Sequence, residues 1–398
     1  MKNYYDLFRA TIYVALIPLF IIGCNSEEPI STPYFSNLEA LQSTGISYIR
    51  GNIKLDTIII ASPDGVGRGF SKIVDGELLF FDRLRAEVTQ ITNDFELGKQ
   101  LLTRGNGPNE IPNFQSFGFN GNQKILLKGW TFYCFDKNWN YLNTGTMSFE
   151  KNNTMEELIN QPNADMIGIY EVRYYENELI FVGENILTKI TSPNPKLNFA
   201  MHKQYYQEAR IAAEVNVNNF EIEKILGRKP PIYTNYNFIP HHDYHYWDIN
   251  SANEIYLSFE PDSLIYICDE NLIPKKAFGV AGINMIQDYY ETTTYEDYES
   301  YWFLAQTTKG YYKHLKVIEE DNLVFRTYNQ GTNELTYGYG DNPKRLQIYQ
   351  DFELIADVPV PTFFKVIGKM GEYYYADGSA ENRDNEDIVL YRFKLNDQ

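Results

Sequence analysis

Residues 72–110 read KIVDGELLFFDRLRAEVTQITNDFELGKQLLTRGNGPNE. The stretch divides into strand, Asp75-Gly76 turn, strand, strand, Asn93-Asp94 turn, strand, and a glycine-proline loop. Asp-Gly is a tight-turn pair, and the unbroken apolar run Leu78-Leu79-Phe80-Phe81 behind it marks a strand buried on both faces. The same combination recurs five times. Ile125-Leu126-Leu127 follows Gly121-Asn122, Leu179-Ile180-Phe181-Val182 follows Glu176-Asn177, and Ile255-Tyr256-Leu257 follows Ala252-Asn253. Leu323-Val324-Phe325 follows Asp321-Asn322, and Tyr373-Tyr374-Tyr375 follows Met370-Gly371. Successive runs start 47, 54, 76, 68 and 50 residues apart. A four-stranded propeller blade takes roughly 40–45 residues, so the excess measures insertions.

A second marker supports that register. The turns at Asn93-Asp94-Phe95, Asp136–Trp139, Asp269–Leu272 and Gln350-Asp351-Phe352 each separate two short apolar strands. Asp and Asn suit such turns because their side chains bond the local backbone. The aromatic or Leu that ends each turn is expected to pack on the neighbouring blade. After Tyr373 only one clear strand remains, in residues 387–395, which leaves the last blade a strand short. One of the two strands expected at 46–53 and 54–61 is predicted to complete it, so that no sheet edge stays open. The expected fold is therefore an all-β, six-bladed β-propeller of four-stranded antiparallel blades, closed by an N-terminal strand. Helical and loop insertions are expected near residues 148–165, 216–243 and 279–310, within a single propeller domain spanning 44–398.

The N-terminus carries an address. Lys2 and Arg9 precede a 14-residue apolar run, residues 10–23, containing Pro18. A spanning helix needs roughly 20 residues, so residues 1–23 read as a secretory signal. The run ends Ile21-Ile22-Gly23-Cys24, which resembles the bacterial lipobox. That resemblance implies cleavage before Cys24 and its lipidation, giving a membrane anchor. Asn25-Ser26-Glu27-Glu28 resembles the acidic tag that sends Bacteroidota lipoproteins to the outer face of the outer membrane. Residues 24–43, with Pro29 and Pro33, read as a flexible stalk. Asp56-Thr57-Ile58 and Asp262-Ser263-Leu264 look like that phylum's O-glycosylation triplet.

Composition narrows the partners. The chain of 398 residues carries 53 acidic against 35 basic side chains, a formal charge of −18. Phosphate backbones would repel it, which excludes nucleic acid as a partner. With 33 tyrosines and 25 phenylalanines the chain has ample material for a β-rich core. Cys134 and Cys268 sit before equivalent turns of different repeats and read as buried small hydrophobes, not as a disulfide.

Arg104-Gly105-Asn106-Gly107-Pro108-Asn109-Glu110 looks like a basic-G-x-G-P-x-E loop at the end of a blade. With the lipobox and the blade at 72–102, it makes the chain resemble the TolB-like or NHL-like six-bladed propeller lipoproteins of Bacteroidota, a group largely without assigned function. The later blades lack this loop. It also lacks the lysine and following helix of a phosphate loop. Its glycines are expected to supply positive φ, leaving Arg104, Asn106 and Glu110 as candidates at the channel mouth.

The sharpest cluster is His241-His242-Asp243-Tyr244-His245, followed by Trp247, with three of the five histidines. On a strand, alternation would put His241, Asp243 and His245 on one face. The spacing matches no zinc motif, so no metal is assigned and the cluster is read as a ligand-lining loop or a strand lead-in with solvated histidines. Residues 279–310 are crowded with aromatics, among them Tyr301 and Trp302, suited to stacking a sugar, docking a partner, or forming a helical pair that packs its rings inward. Residues 377–387 resemble a calcium loop in composition only, with Asn382 and Ile388 where glycine and glutamate are needed. No nucleophile elbow or Ser-His-Asp order is present, no cofactor is implied, and no residue is assigned a catalytic role. The sequence supports a surface-anchored outer-membrane lipoprotein serving as a binding or scaffold propeller for an extracellular ligand, glycan or envelope protein. The alternatives are a propeller enzyme acting on glycans and a purely structural envelope protein.

Overall fold

In the computed structural model the described residues are 34–41, 53–61, 69–107, 109–148, 171–173, 178–191, 206, 209–237, 239–292, 294–334, 342–378 and 387–395. Cys24, the lipobox, the acidic tag, and all but the edges of the 148–165 insertion and the 377–387 loop lie outside them. The rest forms six antiparallel sheets, one per blade.

Blade 1 comprises Gly69–Val74, Glu77–Asp82, Glu87–Ile91 and Leu97–Arg104, with Glu110–Ile111 added in parallel at its rim. Blade 2 comprises Ser116–Phe119, Gln123–Lys128, Thr131–Asp136 and Tyr141–Thr146. Blade 3 is built from Ile180–Val182, Asn185–Thr191, Ala212–Asn216 and Ile222–Leu226. Blade 4 holds His245–Ile249, Ile255–Phe259, Ile265–Cys268 and Pro274–Phe278. Blade 5 holds Tyr311–Ile318, Leu323–Asn329, Lys344–Gln350 and Glu353–Val360. Blade 6 takes Lys365–Met370, Tyr373–Asp377 and Ile388–Phe393 from the chain's end. Its fourth strand is Asp56–Ile60, paired antiparallel with Ile388–Phe393. The N-terminal strand closes the ring, as expected.

The first strands of neighbouring blades touch one another: blade 4 with 5, 5 with 6, 6 with 1, and 2 with 3. These strands line the axis. Four antiparallel strands reverse direction three times, so each blade-to-blade connection leaves on the same face as the second-to-third-strand loops of every blade. The segments 227–244 and 279–310 are such connections and share that face.

Five of the six apolar runs are second strands. The run at 179–182 is instead the first strand of blade 3, and the second is Asn185–Thr191 beyond Gly183 (φ +59°). Glu176-Asn177 had imitated the turn. The insertion expected from residue 216 likewise begins later, because Ile222–Leu226 is the outer strand of blade 3.

The second marker has a backbone cause. Phe95, Trp139, Leu272 and Phe352 all adopt left-handed backbone, with φ of 59°, 67°, 57° and 70°. A bulky L-residue pays roughly 1–2 kcal/mol for that conformation, so packing has to hold it there. Trp139 lies 6.2 Å from the ring of Phe81 in blade 1, Phe352 5.2 Å from Phe278 in blade 4, and Phe95 6.4 Å from Tyr375 in blade 6. Leu272 lies over Gly227 at the end of blade 3, where a Cβ would come within 3.0 Å of its Cδ1. Blade 3 supplies a fifth copy, Phe220 (φ 60°), 5.9 Å from Phe132 of blade 2 and seated on Gly145. Each knob packs on the preceding blade around the ring.

One end of the expected stalk is fixed. Glu39–Ala40 pairs in parallel with Lys276 and Ala277 at the rim of blade 4, and the Phe35 ring meets Tyr266 at 5.2 Å. Residues 34–41 are thus part of the propeller, because the open rim of blade 4 offers unpaired backbone groups and an apolar seat. Cys134 and Cys268 are both free and buried, and burial pushes the thiol of Cys134 up to about 12.

Candidate functional site

Charged side chains stand among the apolar ones on or beside several of the innermost strands. Lys72 comes from blade 1, Asp248 from blade 4, His314 and Lys316 from blade 5, and Glu178 from the segment leading into blade 3. Glu178 forms an ion pair with Lys72 across blade 2, joining two blades that do not adjoin. Its backbone carbonyl accepts the Trp247 indole N–H at 2.8 Å. Lys316 Nζ lies 2.8 Å from Asp248 Oδ2, which also accepts the Val317 N–H at 2.7 Å. His314 Nε2 lies 2.6 Å from the Val366 carbonyl, so that nitrogen carries the proton.

The side chains of Lys72 and Glu178 keep 24% and 36% of their surface open to water although protein encloses them. Partial exposure within a surrounding wall of strands is what a channel lining has. Burial alone would raise the Glu178 carboxyl, but Lys72, His314 and Lys189 outweigh it and hold it down to about 2. Burial pushes His314 down to about 4, against the opposing pull of Glu178. Burial would lower Lys316 too, yet the facing Asp248 leaves it raised. At neutral pH this gives a charged carboxylate among charged lysines beside a neutral imidazole.

Next to the axis, on the face of the blade-to-blade connections, lies a second polar group. Asp243 receives ion pairs from Arg173 and Lys229, and Lys229 Nζ also donates to the Asp243 carbonyl at 3.0 Å. Lys229 sits 5.0 Å over the Tyr233 ring. Burial pushes it down to about 8, with Asp243 opposing. Glu260, 2% exposed, accepts from the Tyr244 N–H at 3.1 Å and the Tyr246 hydroxyl at 3.3 Å. Burial pushes its carboxyl up to about 7.

The histidines do not alternate along a strand. Pro240 fixes φ and starts a single 3-10 turn, Pro240–His242, and the strand begins only at His245. Nor are they solvated, since all three are buried. His241 stacks on Tyr298 at 4.8 Å, His242 lies between Tyr289 at 4.4 Å and Tyr311 at 5.2 Å, and His245 meets Trp247 at 5.2 Å. Burial lowers His241 to about 4 and His242 to about 3, so both are neutral at pH 7. Among the described residues no group of three or more His, Cys, Asp and Glu could hold a metal ion.

Helix α1 (Tyr295–Thr308) covers this cluster. It starts at a capping box in which Thr294 Oγ1 accepts the Asp297 N–H and Asp297 Oδ2 accepts the Thr294 N–H. Gln306 of α1 donates to the His241 carbonyl at 2.9 Å. Tyr301 stacks on Tyr290 at 5.2 Å, and Trp302 stands 49% exposed. Thus His241, His242, Tyr244, His245 and Trp247 share one neighbourhood with the helix that carries Tyr301 and Trp302.

The loop at 104–110 stands apart, at the rim of blade 1. Glu110 Oε2 accepts the Gly107 N–H at 2.8 Å, and a Cβ on Gly105 would sit 1.9 Å from that oxygen. Neither glycine has positive φ; the left-handed residue is Asn109 at 61°. The glycines are required by close approach of Glu110, which staples its own loop, while Arg104 and Asn106 are exposed. Reading the sequence assigned no role at the axis to Lys72, Glu178, Asp248, His314 or Lys316. For Asp248, His314 and Lys316 the local signal is a charge or histidine inside the first strand of a blade, as in YWDI or YYKHLKVI, and Glu178 lies just ahead of such a strand.

No protein family and no curated protein matches this chain in sequence. Solved structures do match in fold. A DUF4221-family member from Bacteroides vulgatus superposes with a TM-score of 0.66 at 12% identity, over 87% of this chain and 99% of the other. A Bacteroides fragilis protein described as exported gives 0.51 at 13% identity, over 88% and 98%. Among the described residues no helix is long and apolar enough to cross a membrane.

Proposed function

We propose that the protein is an envelope-anchored binding propeller that receives its ligand or partner at the axis of the ring. One observation carries this reading: charged side chains from blades 1, 3, 4 and 5 converge on the axis, and all four (Lys72, Glu178, Asp248 and Lys316) keep part of their surface open to water. Propellers that bind through the axis need such convergence, and a purely structural ring does not. The anchor is part of the same proposal, with residues 1–23 as signal, Cys24 as the lipidated residue and the cell surface as destination. So is a place among the TolB-like or NHL-like propeller lipoproteins of Bacteroidota. The glycan-hydrolase alternative is less well supported, because Glu260, whose carboxyl burial pushes up to about 7, has both oxygens occupied and is closed to solvent.

Two experiments test the proposal. Cys24→Ala should move the protein from membrane to soluble fractions, and persistence in the membrane would end the anchor assignment. Cross-linking the full chain in its native envelope should recover a component that Lys72→Met loses and Arg104→Ala keeps. Equal recovery by both variants would remove the axis from the reading.

A further inference from the structure

We infer that the axial site is a carboxylate-binding site, which Glu178 fills from within until a small organic carboxylate takes its place on Lys72. The inference names a ligand class for the site proposed above and rests on that proposal. The chain as a whole is strongly acidic, so it repels anions at long range and can capture one only where cations are concentrated locally. The axis is such a place. Lys72, Lys189 and Lys316, from blades 1, 3 and 5, all act on the single carboxylate of Glu178, and Lys72 pairs with it directly. Asp248 shares only Lys316.

Position makes Glu178 displaceable. Its backbone is held by the Trp247 indole and, at Leu179, by the Phe117 carbonyl, so its side chain can rotate off Lys72 about its own χ angles while the backbone stays in place. A third of its surface already faces water. Exchanging one carboxylate for another leaves the charge of the site unchanged, which avoids stranding Lys72 beside the other cations. The Trp247 indole, bonded to the Glu178 carbonyl at 2.8 Å, reports on any movement of this segment.

The experiment is a tryptophan-fluorescence titration of the full chain with sodium D-glucuronate, using glucose and matched sodium chloride as controls. The wild type should show a saturable change with glucuronate alone. Glu178→Gln keeps the shape and removes the competing charge, so it should bind glucuronate about tenfold tighter, as expected for the loss of one intramolecular competitor. Lys72→Met should lose the response. Should Lys72→Met fold poorly by circular dichroism, Lys316→Met replaces it and should weaken binding. Identical curves for glucuronate, glucose and chloride in both wild type and Glu178→Gln would overturn the inference. Should that happen while Lys72→Met still loses the envelope component, the ligand class fails and the axial reading survives.

Discussion

Five blades supply a knob at the rim and four supply side chains at the axis, yet only the rim repeats. Phe95, Trp139, Phe220, Leu272 and Phe352 occupy equivalent turns and meet the preceding blade in the same way. The axis holds lysine in blade 1, aspartate in blade 4, and histidine with lysine in blade 5, and no two of these blades match. A ring needs the same joint between every pair of blades, so stability is served by repetition. Recognition needs an asymmetric arrangement of charge, so departures from the repeat mark the site.

Three substitutions press on that contrast. Trp139→Ala removes a buried knob from the blade 1–blade 2 joint and should cost about 3–5 kcal/mol, read as a fall in thermal midpoint. A loss below ~1 kcal/mol would mean that the joint is not where stability resides. Glu260→Gln probes the polar side through pH. The Glu260 carboxyl sits at about 7 when folded against an ordinary 4.5. Across that window the folded chain binds more protons than the unfolded one, so this group makes stability fall as pH rises from 4.5 toward 7. Subtracting the Glu260→Gln profile from the wild type should isolate that fall, and a flat difference would contradict it. Glu178 has the opposite sign: its stabilisation is complete above 4.5 and is lost as pH drops toward 2. Trp302→Ala, on the exposed face of α1, should change stability by less than about 0.5 kcal/mol. A larger loss would make Trp302 part of the packing and not of the surface.

The repeat was legible because its signals are local. A tight turn followed by a doubly buried strand is contained within about eight residues of sequence, and five of six such runs were read in register. Blade 3 slipped because Glu176-Asn177 offers turn chemistry one strand too early. Its knob, Phe220, escaped notice for a related reason: Asn218-Asn219 was absorbed into an expected insertion. The histidine cluster was found as a cluster, but its geometry was misjudged, since Pro240 overrides alternation. The axial site was not legible at all. Lys72 and Glu178 are 106 residues apart, and Trp247 and His314 come from still later blades. Only ring closure brings them together, so no short window of sequence contains them.

The two attachments of the N-terminal segment also give the ring a mechanical order. Residues 39–40 hold the rim of blade 4, and after fifteen intervening residues Asp56–Ile60 completes blade 6. Tension applied through the N-terminus therefore loads the two-residue parallel pairing before it reaches the five-residue antiparallel closure. The contacts of residues 34–41 on blade 4 would yield first, as a fuse does, before the closing strand of blade 6 is loaded. A propeller tethered by its N-terminus can in this way be tugged without being opened.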